Sequence, residues 1–119
     1  MASSPEKPVT RIACFKFHPS TTTLQKGDRT RAFLALYAEH PDLILEMPKG
    51  GRPLETPLKL TNVKRETDWD TGFIVKFNSE EARKQFDADP GHDQLKEETD
   101  PLLEQVFVYD FVEQDGLGW

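Results

Sequence analysis

Thr71-Gly72-Phe73-Ile74-Val75-Lys76-Phe77 is the stretch that decides the fold class. In an extended chain it presents Phe73, Val75 and Phe77 on one face and Gly72, Ile74 and Lys76 on the other. A second stretch, Val106-Phe107-Val108-Tyr109-Asp110-Phe111-Val112, alternates in the same way, with Val106, Val108 and Val112 opposing Phe107, Tyr109 and Phe111. Ile74 likewise opposes Phe73, so both strands carry apolar side chains on two faces. Helices cover one face of such a sheet and something else must cover the other. A second copy of the sheet is the simplest cover, because two identical sheets pack by a closed two-fold operation.

Working outward, Arg11-Ile12-Ala13-Cys14-Phe15-Lys16-Phe17 is a first strand, ended by His18-Pro19 because proline cannot extend a ladder. Residues 24–40 place Leu24, Phe33, Leu36, Tyr37 and His40 near helical spacing, with Asp28 as a candidate N-cap after Gly27 and Pro41 as the stop. Asp42–Met47 is a candidate short second strand. Pro48, Gly50, Gly51, Pro53 and Pro57 then punctuate an irregular excursion. Leu58–Val63 alternates in a way that would let it return to the sheet, and Trp69 sits in the turn before the decisive strand. After that strand, Asn78 with Glu81 resembles a capping box for a short helix buried through Ala82 and Phe86. Pro90-Gly91 breaks this helix before another turn over His92–Glu98. The order of elements suits an α+β fold, an antiparallel sheet with helices on one face.

Residues 1–10 read as a disordered lead-in, 11–113 as one domain, and 114–119 as a tail that is loose or docked on a neighbour. The 119 residues hold 15 Lys+Arg against 21 Asp+Glu, a net charge of −6, with pI near 5.0. Such an acidic balance argues against a phosphate-backbone binder, so no nucleic-acid partner is expected. The longest apolar runs fall far short of the roughly 20 residues that span a bilayer, and the first residues lack the apolar core of a secretory signal. The expected setting is soluble and cytoplasmic, with no membrane partner. The single Cys14 cannot form an internal disulfide, and no Cys/His set has structural zinc spacing.

Three stretches together resemble one family: residues 11–17, Gly72-Phe-Ile-Val-Lys-Phe-Asn-Ser-Glu-Glu-Ala82, and Phe86-Asp-Ala-Asp-Pro-Gly-His92. They are similar to the stress-responsive A/B barrel (Dabb) domain of the dimeric α+β barrel superfamily. The resemblance implies a ferredoxin-like protomer whose sheet pairs with its twin in a homodimeric barrel. It also implies a small-molecule site, as in olivetolic acid cyclase-like polyketide cyclases, which close a linear poly-β-ketone by aldol condensation. By motif position His92 matches the general base of those relatives. Phe86 stands where they carry a tyrosine, Asp89 where they carry a second histidine and Arg11 where they carry a third.

Imidazole, with an ordinary pKa near 6.5, can take an acidic proton between two carbonyls at neutral pH. His92 is therefore read either as that base or as a helix N-terminal residue that fixes the Pro-Gly turn. Tyr37 is the better hydroxyl donor than Tyr109, since a helix on the sheet forms the pocket wall in this resemblance. Phe33, Phe73 and Phe86 are candidate lining residues, and burial holds apolar or phenolic ligands in such pockets. Arg11 would hold a substrate carboxylate if its side chain turned inward, and would be solvated at a sheet edge. Asp89 completes the candidate substrate contacts. His18 and His40 read as element-end histidines, and Asp87, Asp89 and Asp93 as a solvated acidic surface in preference to a metal site. No nucleotide, metal or other cofactor is indicated. The expected activity is a cofactor-independent lyase or cyclase on a β-keto or phenolic metabolite, against the alternative of a non-catalytic stress-responsive binding protein. Residues 48–66 read as a lid over the pocket.

Overall fold

The computed structural model describes residues 6–119. Four strands and three helices follow in the order β1 (Val9–Phe17), α1 (Thr23–Ala38), β2 (Lys49–Gly51), β3 (Thr71–Phe77), α2 (Glu80–Asp87), α3 (Pro90–Thr99) and β4 (Leu103–Val112). The sheet runs β2-β3-β1-β4 and every pairing is antiparallel. With the helices on one face this is a ferredoxin-like α+β fold, as the alternation at 71–77 and 106–112 requires. The first strand opens at Val9, two residues inside the expected lead-in, because Val9 and Thr10 pair with Phe77 and Lys76. Of that lead-in, residues 1–5 lie outside the described residues.

Burial along β1 alternates strictly. Val9, Arg11, Ala13, Phe15 and Phe17 are buried under the helices, while Thr10, Ile12, Cys14 and Lys16 face the other way. Val75, Phe77 and Phe86 pack with Leu36, Tyr37 and Leu95 in the main core. On the opposite face Phe107, Tyr109 and Phe111 form a ladder of rings, with centroids 6.4 and 5.6 Å apart. Trp69 joins its end, 6.2 Å from Phe107. Tyr109 is 55% exposed on this open face.

Local signals moved several boundaries. Helix α1 starts at Thr23, because Thr22 accepts from the Gln25 amide while the Gln25 side chain accepts from the Thr22 amide, a closed capping box. Asp28, the expected cap, lies inside the helix. The cap of α2 is Ser79 accepting from Ala82, one residue past the expected Asn78, whose side chain instead donates to the Asp42 carbonyl. Pro90 does not break a helix but opens α3, where its missing N–H costs nothing, with Asp89 as the cap.

Residues 42–47 form no strand. Only Ile44 bridges to Phe77, and the edge strand is the shorter Lys49–Gly51. Gly50 has to be glycine, since a Cβ there would run into the Gly72 carbonyl oxygen and Phe73. Leu58–Val63, expected back in the sheet, pairs with no strand of its own protomer among the described residues. No helix among the described residues is long and apolar enough to cross a membrane.

Candidate active site

Between the sheet and the helices lies a cavity of about 440 Å³. Each wall follows from a sequence period. The i, i+4 spacing of Phe33 and Tyr37 puts both on the sheet side of α1. The inward residues of β1 supply Arg11, Ala13 and Phe15, β3 supplies Phe73, and β4 supplies Leu103, Val106 and Val108. His92, Asp93 and Lys96 enter from the first turns of α3, and Asp87 from the end of α2. A side chamber of about 170 Å³ adjoins it toward β2, sharing Phe15, Phe33, Tyr37 and Phe73 and adding Pro48, Gly50 and Gly51.

The polar end is built around Arg11. Arg11 is 8% exposed and donates to Asp87 through Nη1 and Nη2 at 2.8 and 2.9 Å, and to Asp110 through Nε and Nη2 at 2.8 and 2.9 Å. Arg83 adds a third donor to Asp87, at 3.2 Å. Burial alone would lower the Arg11 pKa, but the two carboxylates more than offset it and the net shift is upward. For Asp87 burial pushes up, Arg11 with smaller help from His92 and Arg83 pulls down, and the net shift holds the carboxyl below its ordinary range. β1 is an interior strand, so Arg11 is neither at a sheet edge nor solvated. Its donors are committed to two carboxylates, which leaves it poorly placed as an anchor for a substrate carboxylate.

His92 sits where Asp89 fixes the start of α3 by accepting from the Gly91 amide at 2.8 Å. Its ring stands edge-on to Phe86, with centroids 5.4 Å apart. Nε2 is 3.9 Å from Asp87 Oδ1, while Nδ1 is buried without a hydrogen-bond partner among the described residues. Burial is the main cause that lowers the His92 pKa; Asp87 opposes it, and Arg11 and Lys96 add to it. The imidazole is therefore neutral at pH 7, with Nε2 as the nitrogen next to the carboxylate. Tyr37 is 2% exposed and stacks on Phe86 at 4.3 Å. Burial raises its pKa to about 12 against the opposing pull of Arg11, so its hydroxyl keeps its proton.

Of the seven site residues expected from sequence, Arg11, Phe33, Tyr37, Phe73 and His92 meet in this cavity. Phe86 lies beneath it, 1% exposed, as the floor under Tyr37 and His92. Asp89 faces away, capping α3 with its other oxygen 3.5 Å from His40 Nε2. Sequence reasoning missed Asp110 as the second partner of Arg11. An acidic residue at the inward parity of the last strand, between Val108 and Val112, is the signal that marks it. None of residues 52–66 lines the cavity, so the expected lid does not lie over it within the protomer. Among the described residues no three His, Cys, Asp or Glu side chains come together as a metal-ligand set.

The same arrangement of sheet and helices recurs in solved structures. A hydroxynitrile lyase from Passiflora edulis matches with a TM-score of 0.70 at 17% identity, over 94% of this chain and 97% of that one. A dimeric ferredoxin-like protein of unknown function from Thermobifida fusca matches with a TM-score of 0.69 at 18% identity, over 91% and 92%. SnoaB, a cofactor-independent oxygenase from Streptomyces nogalater, matches with a TM-score of 0.64 at 15% identity, over 95% and 99%. At these identities the likeness is one of fold. No curated protein sequence matches this chain. The sequence pattern of the stress-responsive A/B barrel domain fits residues 9–113, from the first residue of β1 to just past the end of β4, and the chain belongs to that family.

Proposed function

We infer that this chain is a homodimeric, cofactor-independent enzyme of the lyase or cyclase type, acting on an uncharged β-keto or phenolic metabolite of polyketide-like chemistry, with His92 as general base. The observation that carries this reading is a neutral imidazole on the wall of an apolar cavity, its Nε2 next to the ionised Asp87. A C–H between two carbonyls would lose its proton to the neutral imidazole of His92, and the ionised Asp87, 3.9 Å from Nε2, would steady the imidazolium that forms. The enolate carbon would then attack a second carbonyl of the same molecule, or expel a leaving group, and the proton would return to the product oxygen. Tyr37, held protonated, is the donor suited to the enolate oxygen. Phe33 and Phe73 would flank the apolar part of the ligand, with Phe86 supporting Tyr37 and His92 from below. Asp89 contributes by fixing the turn that carries His92.

The homodimer in this reading is supported by the aromatic ladder of Phe107, Tyr109 and Phe111 on the open face and by the dimeric relative from Thermobifida fusca. Catalysis is supported by two relatives whose names are those of enzymes, a lyase and an oxygenase. A cytoplasmic setting belongs to the reading, and the free Cys14 is compatible with it. The second reading, a non-catalytic binding protein, is favoured by Phe86 in place of a proton-donating tyrosine and by the commitment of Arg11 to its carboxylates. His92→Ala separates the two readings. General-base catalysis is worth about 10²–10⁴-fold, so turnover of a cyclising poly-β-ketone should fall by that factor while the protein stays folded and still binds the product. Unchanged turnover removes His92 as the base, and no turnover in the wild type across β-keto and phenolic substrates favours the binding protein.

A further inference from the structure

Two features of the fold remain without a partner. The first is the segment between β2 and β3, where residues 51–68 are exposed without a break. Over residues 52–67 the hydrogen bonds among the described residues are local, Val63 and Arg65 to Thr61 and Arg65 to the Val63 carbonyl, with Lys64 paired to Glu66. It nevertheless carries Leu54, Leu58, Leu60 and Val63 in full or partial exposure. A mere linker has no need of four large apolar side chains, and Pro53 and Pro57 keep such a segment extended. The second is β4, an edge strand of ten residues with one side paired to β1 and the other open. Val106, Phe107, Val108 and Tyr109 are all exposed along it. A long apolar edge of this kind is a template for another strand.

The two features fit each other. Leu58-Lys59-Leu60-Thr61-Asn62-Val63 has the alternation of a strand that its own sheet does not use. Residues 52–66 hold four cations and two anions, a net +2, so the remaining residues carry −8 of the chain's −6. β4 holds no cation and carries Glu104 and Asp110, with Glu113 just beyond it. The root of the arm also leans toward a second copy. Asp68 pairs with Lys16 at 3.0 Å and Trp69 lies against Phe107, both on the open sheet face that the dimer would cover. Val106 and Val108 line the mouth of the main cavity as well as the open edge.

We propose that residues 58–63 add as a strand to the open edge of β4 in a second copy of this chain, so that each protomer's cavity mouth is closed by its partner's arm. The proposal rests on the homodimer inferred above and deepens it: the lid that the excursion supplies acts in trans, and the site is incomplete without the second subunit. Main-chain pairing would give the arm its hold, and Leu58 and Leu60, on one face of the strand, would lie toward the mouth.

The test uses the full chain. A photo-cross-linking benzoylphenylalanine is placed at Leu60, ¹⁵N-labelled and unlabelled protein are mixed into hybrid dimers, and the cross-linked peptides are mapped. The expected result is joins between isotopes that fall on residues 103–112. Joins within one isotope only, joins elsewhere on the partner, or none from a chain that still sediments as a dimer overturn the arm and leave the dimer standing. A chain that sediments as a monomer overturns both. In parallel, Leu58→Ser with Leu60→Ser, at exposed positions where folding is not at stake, should speed amide exchange across β4 at least tenfold. Unchanged exchange contradicts the pairing.

Discussion

Arg11, Asp87 and Asp110 come from three separate elements and close on one another within 2.9 Å, largely out of solvent. Between Arg52 and Glu66 six charged side chains stand in water, and their partners are near in sequence where they have any. The difference teaches where charge does structural work in this molecule. In the cluster each carboxylate is partly withdrawn from water and held by the guanidinium. In the arm each charge keeps its hydration, and removing one leaves the protomer as it was.

The largest effect that would test this contrast is the loss of Arg11. Arg11→Met leaves Asp110 without its donor and Asp87 with Arg83 alone, and breaking a buried pair costs about 3–5 kcal/mol. Denaturant unfolding should report a fall of that order. Arg11→Met combined with Asp110→Asn should lose less than the sum of the two, because both act on one network. A loss under about 1 kcal/mol would put the cluster in the same class as the arm.

Next is the open face. Tyr109→Glu places a charge in the middle of the aromatic ladder, and sedimentation should shift toward monomer by at least tenfold in dissociation constant with the protomer still folded. Retention of the wild-type assembly would show that another surface makes the dimer.

Acid should then weaken the cluster selectively. His92 has a lowered pKa in the folded state, so the unfolded chain takes up that proton first as pH drops below 6.5. Stability falls between 6.5 and the lowered folded value, then levels off. Asp87 has the same sign from its own side: its stabilisation is present above 3.8 and is lost as pH falls through its depressed folded value. Chemical unfolding at stepped pH should therefore show two losses on the acid side, and Asp87→Asn should remove the lower one. The smallest effect is expected in the arm, where Lys59→Ser should change protomer stability by no more than about 0.5 kcal/mol.

The parts legible in the sequence are those set by a short period. Alternation at 71–77 and 106–112 assigned the two faces of the sheet, and the i, i+4 pair Phe33 and Tyr37 found the cavity wall. His92 was legible through the Pro90-Gly91-His92 turn, although Pro90 read as a helix breaker where it opens α3. What escaped depends on contacts far apart in the chain. Strand order is not written locally, so Arg11 read either as an inward substrate contact or as a solvated residue at a sheet edge, although Asp87 and Asp110 lie 76 and 99 residues away and meet it only once the sheet forms. The excursion misled for a different reason. Leu58–Val63 has a strand's alternation, but the place beside β3 is taken by Lys49–Gly51, whose Gly50 allows the closer approach to Gly72 and Phe73.

The most direct test of the central claim, that His92 is a neutral base on the cavity wall, is an NMR pH titration of the imidazoles, repeated with a small phenolic β-diketone. His92 should titrate below the ordinary 6.5, and the ligand should shift its resonances and its midpoint. A His92 that titrates like a free imidazole and ignores every such ligand would contradict the claim.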